Sequence, residues 1–511
     1  VAVCTTSGSA VGNLVPALLE ADASAVPLVL LTCDRPVAYR GAGGWQTTDQ
    51  LAICRPFVRC AVDLPEPADD TAVTLRSMAD VAAALAAAAR PGREGPVQLN
   101  IPLRGTLCTT ADEPGWGGPA PELAPGAGQA SAPVVDESPG LPGPDIAGLL
   151  SGLGLGPGLR GLIVVGPGGL VPAAAVDTLA TLTGYPVLAD AASGLRRPAV
   201  RHLVSEADAL VLHPHLARTR PQVVIRLGQA PVSPTVHDYL AVQDCPQLRD
   251  AGGEVTGDIL STSSYLLGGR LDPPLAKQLG DGLAGGDDGW RQWWLRAGGS
   301  ARSGLQRAVD RLPWGESKAV ASICDASGFD FVHLANSMAV RHGNLHLGPA
   351  ATQQPVYANR GLNGIDGTIA TFVGELRATG GCGLLLIGDQ ATLHDLSALG
   401  AAREAGLRGC ICVMNNDGGA VFDLLPCHRL PGYEDAIRHP TAIDLAAVAR
   451  AFALPFRQCH DQRQLTEALA AARTAAAVSL VEVPVPPGTV AGEVRMLFLA
   501  MIRAARANES A

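Results

Sequence analysis

Short, continuously apolar runs alternate with Ala/Leu-rich stretches from one end of the chain to the other. Apolar runs of about four to eight residues bounded by turn residues predict buried strands, and the longer stretches between them predict helices. Strands that are apolar throughout, each followed by a helix, predict parallel sheets covered on both faces. In a first block, residues 1–111, strands are expected at Val1–Cys4, Pro27–Leu31 and Val97–Ile101, with helices from near Ser9 and over Met78–Ala89. Residues 112–157 are dense in Pro, Gly, Ala and Ser and read as a linker. A central block, 158–290, offers strands at Leu162–Val165, Pro186–Leu188 and Val223–Leu227 and a helix over Val171–Leu182. Its turn Gly166-Pro167-Gly168-Gly169 lacks the third glycine of a dinucleotide fingerprint and reads as a plain tight turn. The third block, 311–490, places strands at Leu384–Ile387 and Cys410–Met414, with a helical run from near Leu393. The expected fold is therefore α/β, in three parallel-sheet domains.

Composition narrows the partners. The 511 residues exceed one ordinary core. A net charge of −10 without any Lys/Arg-rich run excludes a sequence-independent nucleic-acid binder. No apolar run is expected to reach the ~18–20 residues of a membrane span. The 12 cysteines are scattered. The one close pair, Cys410 and Cys412, is expected on opposite faces of a strand, as free buried thiols in a reducing compartment rather than a metal site.

The chemistry gathers in the third block. The strand Leu384–Ile387 stops at Gly388-Asp389, and 27 residues after Asp389 comes Asn416, at the end of the next strand and before Gly418-Gly419. In a parallel sheet the carboxyl ends of neighbouring strands face one crevice. A carboxylate, a carboxamide and the turn carbonyl of Gly418 would meet there as hard oxygen ligands suited to Mg²⁺. Backbone N–H groups beside them suit phosphate. Taken singly, Asp389 reads as a helix N-cap and Asn415-Asn416-Asp417-Gly418-Gly419 as a turn. It is the pairing of the two, each after an apolar strand, that points to a cation and a diphosphate.

This pairing resembles the magnesium-diphosphate motif of thiamine diphosphate (ThDP) enzymes. Three further segments accompany it: Asn336-Ser337-Met338-Ala339-Val340-Arg341, Tyr357-Ala358-Asn359-Arg360-Gly361 through Gly367, and Gly418-Gly419-Ala420-Val421-Phe422. With Thr6-Ser7-Gly8-Ser9, Asp34-Arg35-Pro36 and Gln46 in the first block, they resemble the 2-succinyl-5-enolpyruvyl-6-hydroxy-3-cyclohexene-1-carboxylate synthases of menaquinone and phylloquinone biosynthesis. The resemblance implies three α/β domains of the ThDP-enzyme type: pyrimidine-binding, central and diphosphate-binding. It implies ThDP with Mg²⁺ or Mn²⁺, decarboxylation of 2-oxoglutarate, and addition of the succinyl-semialdehyde carbanion equivalent to isochorismate. The metal would sit on Asp389, Asn416 and Gly418. The cofactor would meet Thr6, Ser7, Gly8, Ile365, Gly388, Asn415, Gly419, Val421 and Phe422. Arg35, Arg341 and Arg360 would pair with substrate carboxylates, joined by Gln46, Asn336 and Ser337. A homodimer or homotetramer with active sites between subunits is implied, in the cytoplasm of a bacterium or the plastid stroma of a phototrophic eukaryote.

The chain departs from the family at several places. The glutamate that activates the cofactor, and a Ser-Arg segment, are expected ahead of Val1, and Glu20 falls within the following helix. The chain is accordingly read as an N-terminally truncated member, through an incomplete gene prediction or a genuine truncation. No catalytic residue is assigned within it. Gln390 and Ala391 follow the aspartate where Leu and Ser are usual, and Trp45 stands where Asn is common. Two other readings stay open: a different ThDP carboligase, akin to acetolactate synthase, and a non-catalytic homologue.

Overall fold

The structure is a computed structural model and describes residues 1–40, 46–67, 70–103, 145–168, 171–250, 258, 260, 262, 265–267, 271–326, 328–349 and 354–507. Trp45, Gly169 and the segment 112–144 lie outside them. The chain divides into two compact units, 1–143 with 253–255 and 144–252 with 256–511.

Among the described residues the first unit holds four parallel strands, β1 (Ala2–Thr5), β2 (Leu28–Asp34), β3 (Cys60–Asp63) and β4 (Pro96–Pro102), ordered β1-β2-β4-β3. Val11, Leu18, Leu30 and Cys54 fill one small core, and Ala84, Ala88, Val97 and Leu99 another. Toward the carboxyl ends of β2 and β4 the register pairs Thr32 with Asn100, so the apolar strands finish in buried polar residues. The helix Thr71–Ala88 has 18 residues and a mean hydropathy of 1.2, enough by length and composition to cross a membrane, contrary to expectation. Eight of its residues are alanine, a small residue that forms helices well in water. Ala84 and Ala88 pack inward, whereas Leu75, Met78 and Leu85 are exposed.

Among the described residues the second unit contains two six-stranded parallel sheets. One is built from β5 (Gly161–Val165), β6 (Val187–Ala189), β7 (Leu203–Val204), β8 (Val223–Leu227), β9 (Gln247–Asp250) and β10 (Tyr265–Leu267), ordered β10-β9-β8-β5-β6-β7. The other uses β11 (Phe331–Leu334), β12 (Val356–Tyr357), β13 (Gly383–Gly388), β14 (Gly409–Asn415), β15 (Phe456–Gln458) and β16 (Val478–Pro484), ordered β12-β11-β13-β14-β16-β15. With the sheet of the first unit they make three parallel α/β sheets, as the pattern of apolar runs predicts.

Local differences have local causes. The helix Ile146–Gly152 forms inside the stretch expected as linker, because Asp145 caps it and Ile146 and Leu150 pack into the core of the β5 sheet. The helix after β13 starts at Asp389 itself, not near Leu393. Cys410 and Cys412, two positions apart on β14, share a face of the strand rather than opposing one another. Both are fully buried, and burial pushes both thiols up. Among the described residues no group of three His, Cys, Asp or Glu could hold a metal. The C-terminal helix Val490–Ala507 inserts Leu497, Met501 and Ala505 among Trp290, Trp293 and Trp294 of the helix Asp288–Arg311.

Candidate active site

Strand β13 is buried on both faces over Leu384–Ile387, and β14 over Cys410–Met414. Their register pairs Gly388 with Met414, so Asp389 and Asn416 leave the sheet side by side. A cleft opens at these strand ends. It is lined by Gly388, Asp389, Asn416, Gly418 and Gly419, together with Asn336, Ser337 and Ile365. Asn415 is instead turned into the sheet, its amide donating to Glu482 Oε1 of β16 at 2.7 Å. Val421 packs with Met338, Ala420 and Val490, and Phe422 is exposed.

Asp389 is 1% exposed. Its Oδ2 accepts from the Gly418 amide at 2.8 Å and from the Thr441 hydroxyl at 3.1 Å. Burial raises its pKa, and the Gly418, Gln390 and Thr441 donors partly offset that. Asn416 is 6% exposed, and its Oδ1 is buried with no protein partner. A buried acceptor left open in a cleft beside a buried carboxylate is what a hard cation requires. Gly418 has φ +132°, and a Cβ there would stand 2.7 Å from the Arg438 carbonyl oxygen. The turn therefore needs glycine for both conformation and space.

Above the cleft, Ser337 holds φ +66° at the start of the helix Met338–His346, an uncommon conformation for a residue with a side chain. Its carbonyl accepts from Arg341 Nη1 at 2.7 Å. Asn336 donates to the carbonyls of Asn359 at 2.8 Å and Gly364 at 2.6 Å, which leaves its Oδ1 to accept from Arg360 Nη1 at 2.5 Å. Asn336, Ser337, Arg341 and Arg360 thus belong to one hydrogen-bonded group.

In the first unit the sequence-chosen residues also gather. The Gln46 amide donates to the Ser7 carbonyl at 2.8 Å and to the Thr6 hydroxyl at 3.3 Å, and its Oε1 accepts from Arg35 Nη2 at 3.0 Å. Gly8, at φ +82°, donates its amide to Gln50 Oε1 at 2.8 Å. Beneath it, Gln50 donates to Asn100 Oδ1 at 2.8 Å, and Asn100 to Asp34 Oδ2 at 2.9 Å.

Residues 1–53 match the family "Thiamine pyrophosphate enzyme, N-terminal TPP binding domain". Over 94% of its length the chain is 33% identical to the 2-succinyl-5-enolpyruvyl-6-hydroxy-3-cyclohexene-1-carboxylate synthase of Geobacillus thermodenitrificans, covering 82% of that protein. The chain belongs to this synthase family. The synthase of the same name from Haloarcula marismortui is also 33% identical, over 92% of this chain and 81% of its own length. That from Myxococcus xanthus is 32% identical, over 88% and 77%.

Several residues around the cleft escape the sequence pattern. Thr441 reaches Asp389 from 52 residues away. Gln390, a departure from the usual leucine, donates to the carbonyls of Arg438 and His439 at 3.0 and 2.9 Å and so fastens the segment that carries Thr441. Buried Arg438 donates to the Asn416 carbonyl at 2.7 Å. Glu316 also lines the cleft. No motif spacing marks these four. The π-turn ending at Arg438, a feature that often accompanies function, becomes visible only once the backbone is known.

Proposed function

We propose that the chain holds thiamine diphosphate through Mg²⁺ or Mn²⁺ at Asp389, Asn416 and Gly418, and forms 2-succinyl-5-enolpyruvyl-6-hydroxy-3-cyclohexene-1-carboxylate from 2-oxoglutarate and isochorismate with loss of CO₂. One observation carries the cation reading: Asn416 Oδ1, buried and without a protein partner, lies in the same cleft as buried Asp389. Thiamine diphosphate, when bound, supplies the electron sink for losing CO₂ from a 2-oxo acid. The chain's own residues bind and orient. Gly388 and Gly419, which line the cleft, would let backbone approach the diphosphate, and Ile365 would form part of the apolar wall.

Both substrates are dicarboxylates, and Arg35, Arg341 and Arg360 are the cations assigned to them. Asn336 aims Arg360 by accepting one of its N–H groups while its own amide is held by two carbonyls. Thr6, Ser7 and Gly8 are the residues assigned to the cofactor by the family resemblance, and Gln46 to substrate. The working form is a homodimer or homotetramer, which sedimentation velocity would reveal.

Calorimetric titration with ThDP, in Mg²⁺ and again in excess chelator, tests the cation site. The native chain should show Mg²⁺-dependent binding that Asp389→Ala abolishes; unchanged affinity in that variant overturns the assignment. Product formation from isochorismate with 2-oxoglutarate, set against pyruvate, by a form that also carries the activating glutamate, tests the substrate pair. Preference for pyruvate would remove the dicarboxylate reading.

A further inference from the structure

Asn416 can present an oxygen to a cation only if its amide nitrogen points elsewhere, and nothing in its own turn decides this. The deciding group comes from the start of the helix Glu316–Cys324, 100 residues earlier in the chain. Glu316 is 2% exposed, and its Oε2 accepts from Asn416 Nδ2 at 2.9 Å. Its other oxygen, Oε1, lies 3.1 Å from Nε2 of His342, which is 1% exposed. A carboxylate only accepts, so Asn416 must show Glu316 its NH₂ and His342 must carry its hydrogen on Nε2. That orientation leaves Asn416 Oδ1 as the buried acceptor without a partner. Both Glu316 oxygens are thereby engaged by protein donors. The start of its helix is tied down in turn, with the Ser317 amide donating to Glu493 Oε2 at 2.9 Å.

We infer that Glu316 is a positioning residue for the cation site: supported by His342, it sets the carboxamide of Asn416 so that Oδ1, not Nδ2, faces the ion. The inference rests on the cation reading proposed above. A neutral apolar side chain at 316 would free the carboxamide to rotate and offer its NH₂ to the ion. Glutamine would restore the arrangement, its Oε1 accepting from Asn416 and its NH₂ donating to His342 in the other tautomer.

The experiment is Mg²⁺ titration at saturating ThDP, read by calorimetry on the full chain, with the thermal midpoint of each apo variant as a check of folding. Glu316→Met should weaken Mg²⁺ about 10–100-fold, the usual cost of losing an outer-shell partner, and Glu316→Gln should recover most of it. In an Asn416→Ala background Glu316→Met should add less than about twofold, because the residue it positions is gone. Should Glu316→Met not fold, Glu316→Asp carries the same expectation, its acceptor drawn back by one methylene.

Unchanged Mg²⁺ affinity in Glu316→Met, while Asp389→Ala abolishes binding, would overturn the inference and leave the cation site standing. A full additional loss in the Asn416→Ala background would also overturn it, since Glu316 would then act without Asn416. If Asp389→Ala too were without effect, the cation reading itself would fall.

Discussion

The amide of Gly418 donates to Oδ2 of Asp389 across 2.8 Å, joining the loops that leave two neighbouring strands. Thr441 donates to the same oxygen. The proposed cation site is thus joined into one hydrogen-bonded unit, and its sensitivity to change should follow that wiring.

Gly418→Ala places a Cβ 2.7 Å from the Arg438 carbonyl oxygen, at a φ of +132°. Strain of this kind costs about 1–3 kcal/mol, and relieving it moves the turn away from Asp389. The variant should unfold at lower urea concentration and lose Mg²⁺-dependent ThDP affinity by about tenfold or more. Wild-type behaviour in both assays would show that the turn can relax without consequence.

Asn344 joins the β5 sheet to the β11 sheet. It accepts from the Ala191 amide at 2.8 Å and from Arg196 Nη2 at 3.1 Å, and donates to Asp190 Oδ1 at 2.8 Å. All these groups are buried. Asn344→Ala should cost about 1–3 kcal/mol, because it takes one hydrogen bond from a buried carboxylate and one from a buried guanidinium, while Asp190 keeps the Val232 amide and Arg196 keeps the carbonyls of Ala189, Leu347 and residue 344. Urea denaturation followed by tryptophan fluorescence would measure this, since Trp290, Trp293 and Trp294 report on the same unit.

Asp208 has its pKa raised to about 6, chiefly by burial and next by the Asp190 carboxylate, with Arg196, Ser233 and Asn344 opposing the rise. The folded state therefore binds more protons than the unfolded one between about pH 4 and 6. The stability this group contributes is present at the acid end of that window and is lost as pH rises through about 6. Asp208→Asn should flatten the fall in unfolding free energy across the window, and equal slopes for the two proteins would refute the assignment.

Arg360→Ala removes the guanidinium that Asn336 aims. In a form that also carries the activating glutamate, KM for 2-oxoglutarate should rise about 10–100-fold, corresponding to the ~1.5–3 kcal/mol of a charged hydrogen bond, while ThDP affinity stays within about twofold. A parallel fall in cofactor affinity would make Arg360 a structural residue.

The sheets and the main ligand pair were legible in the sequence because they depend on local pattern. Leu384–Ile387 and Cys410–Met414 are apolar on both faces, as only buried parallel strands are, and Gly388-Asp389 and Asn415-Asn416 end them. Short edge strands such as Leu203–Val204 and Val356–Tyr357 escaped, since two residues carry no period. The helix Ile146–Gly152 escaped for a related reason: its stability comes from packing onto a sheet rather than from its own composition.

By itself, then, the sequence determined that the chain folds as parallel α/β sheets, and that a carboxylate and a carboxamide stand at neighbouring strand ends beside glycines. Tertiary structure alone decided which atoms of those groups are free. That Thr441 and Gly418 occupy one oxygen of Asp389, and that Glu316 takes the amide of Asn416, depends on contacts between segments 29 to 100 residues apart. Hydrogen bonds of that kind follow from how buried elements pack, and no local pattern of residues encodes them.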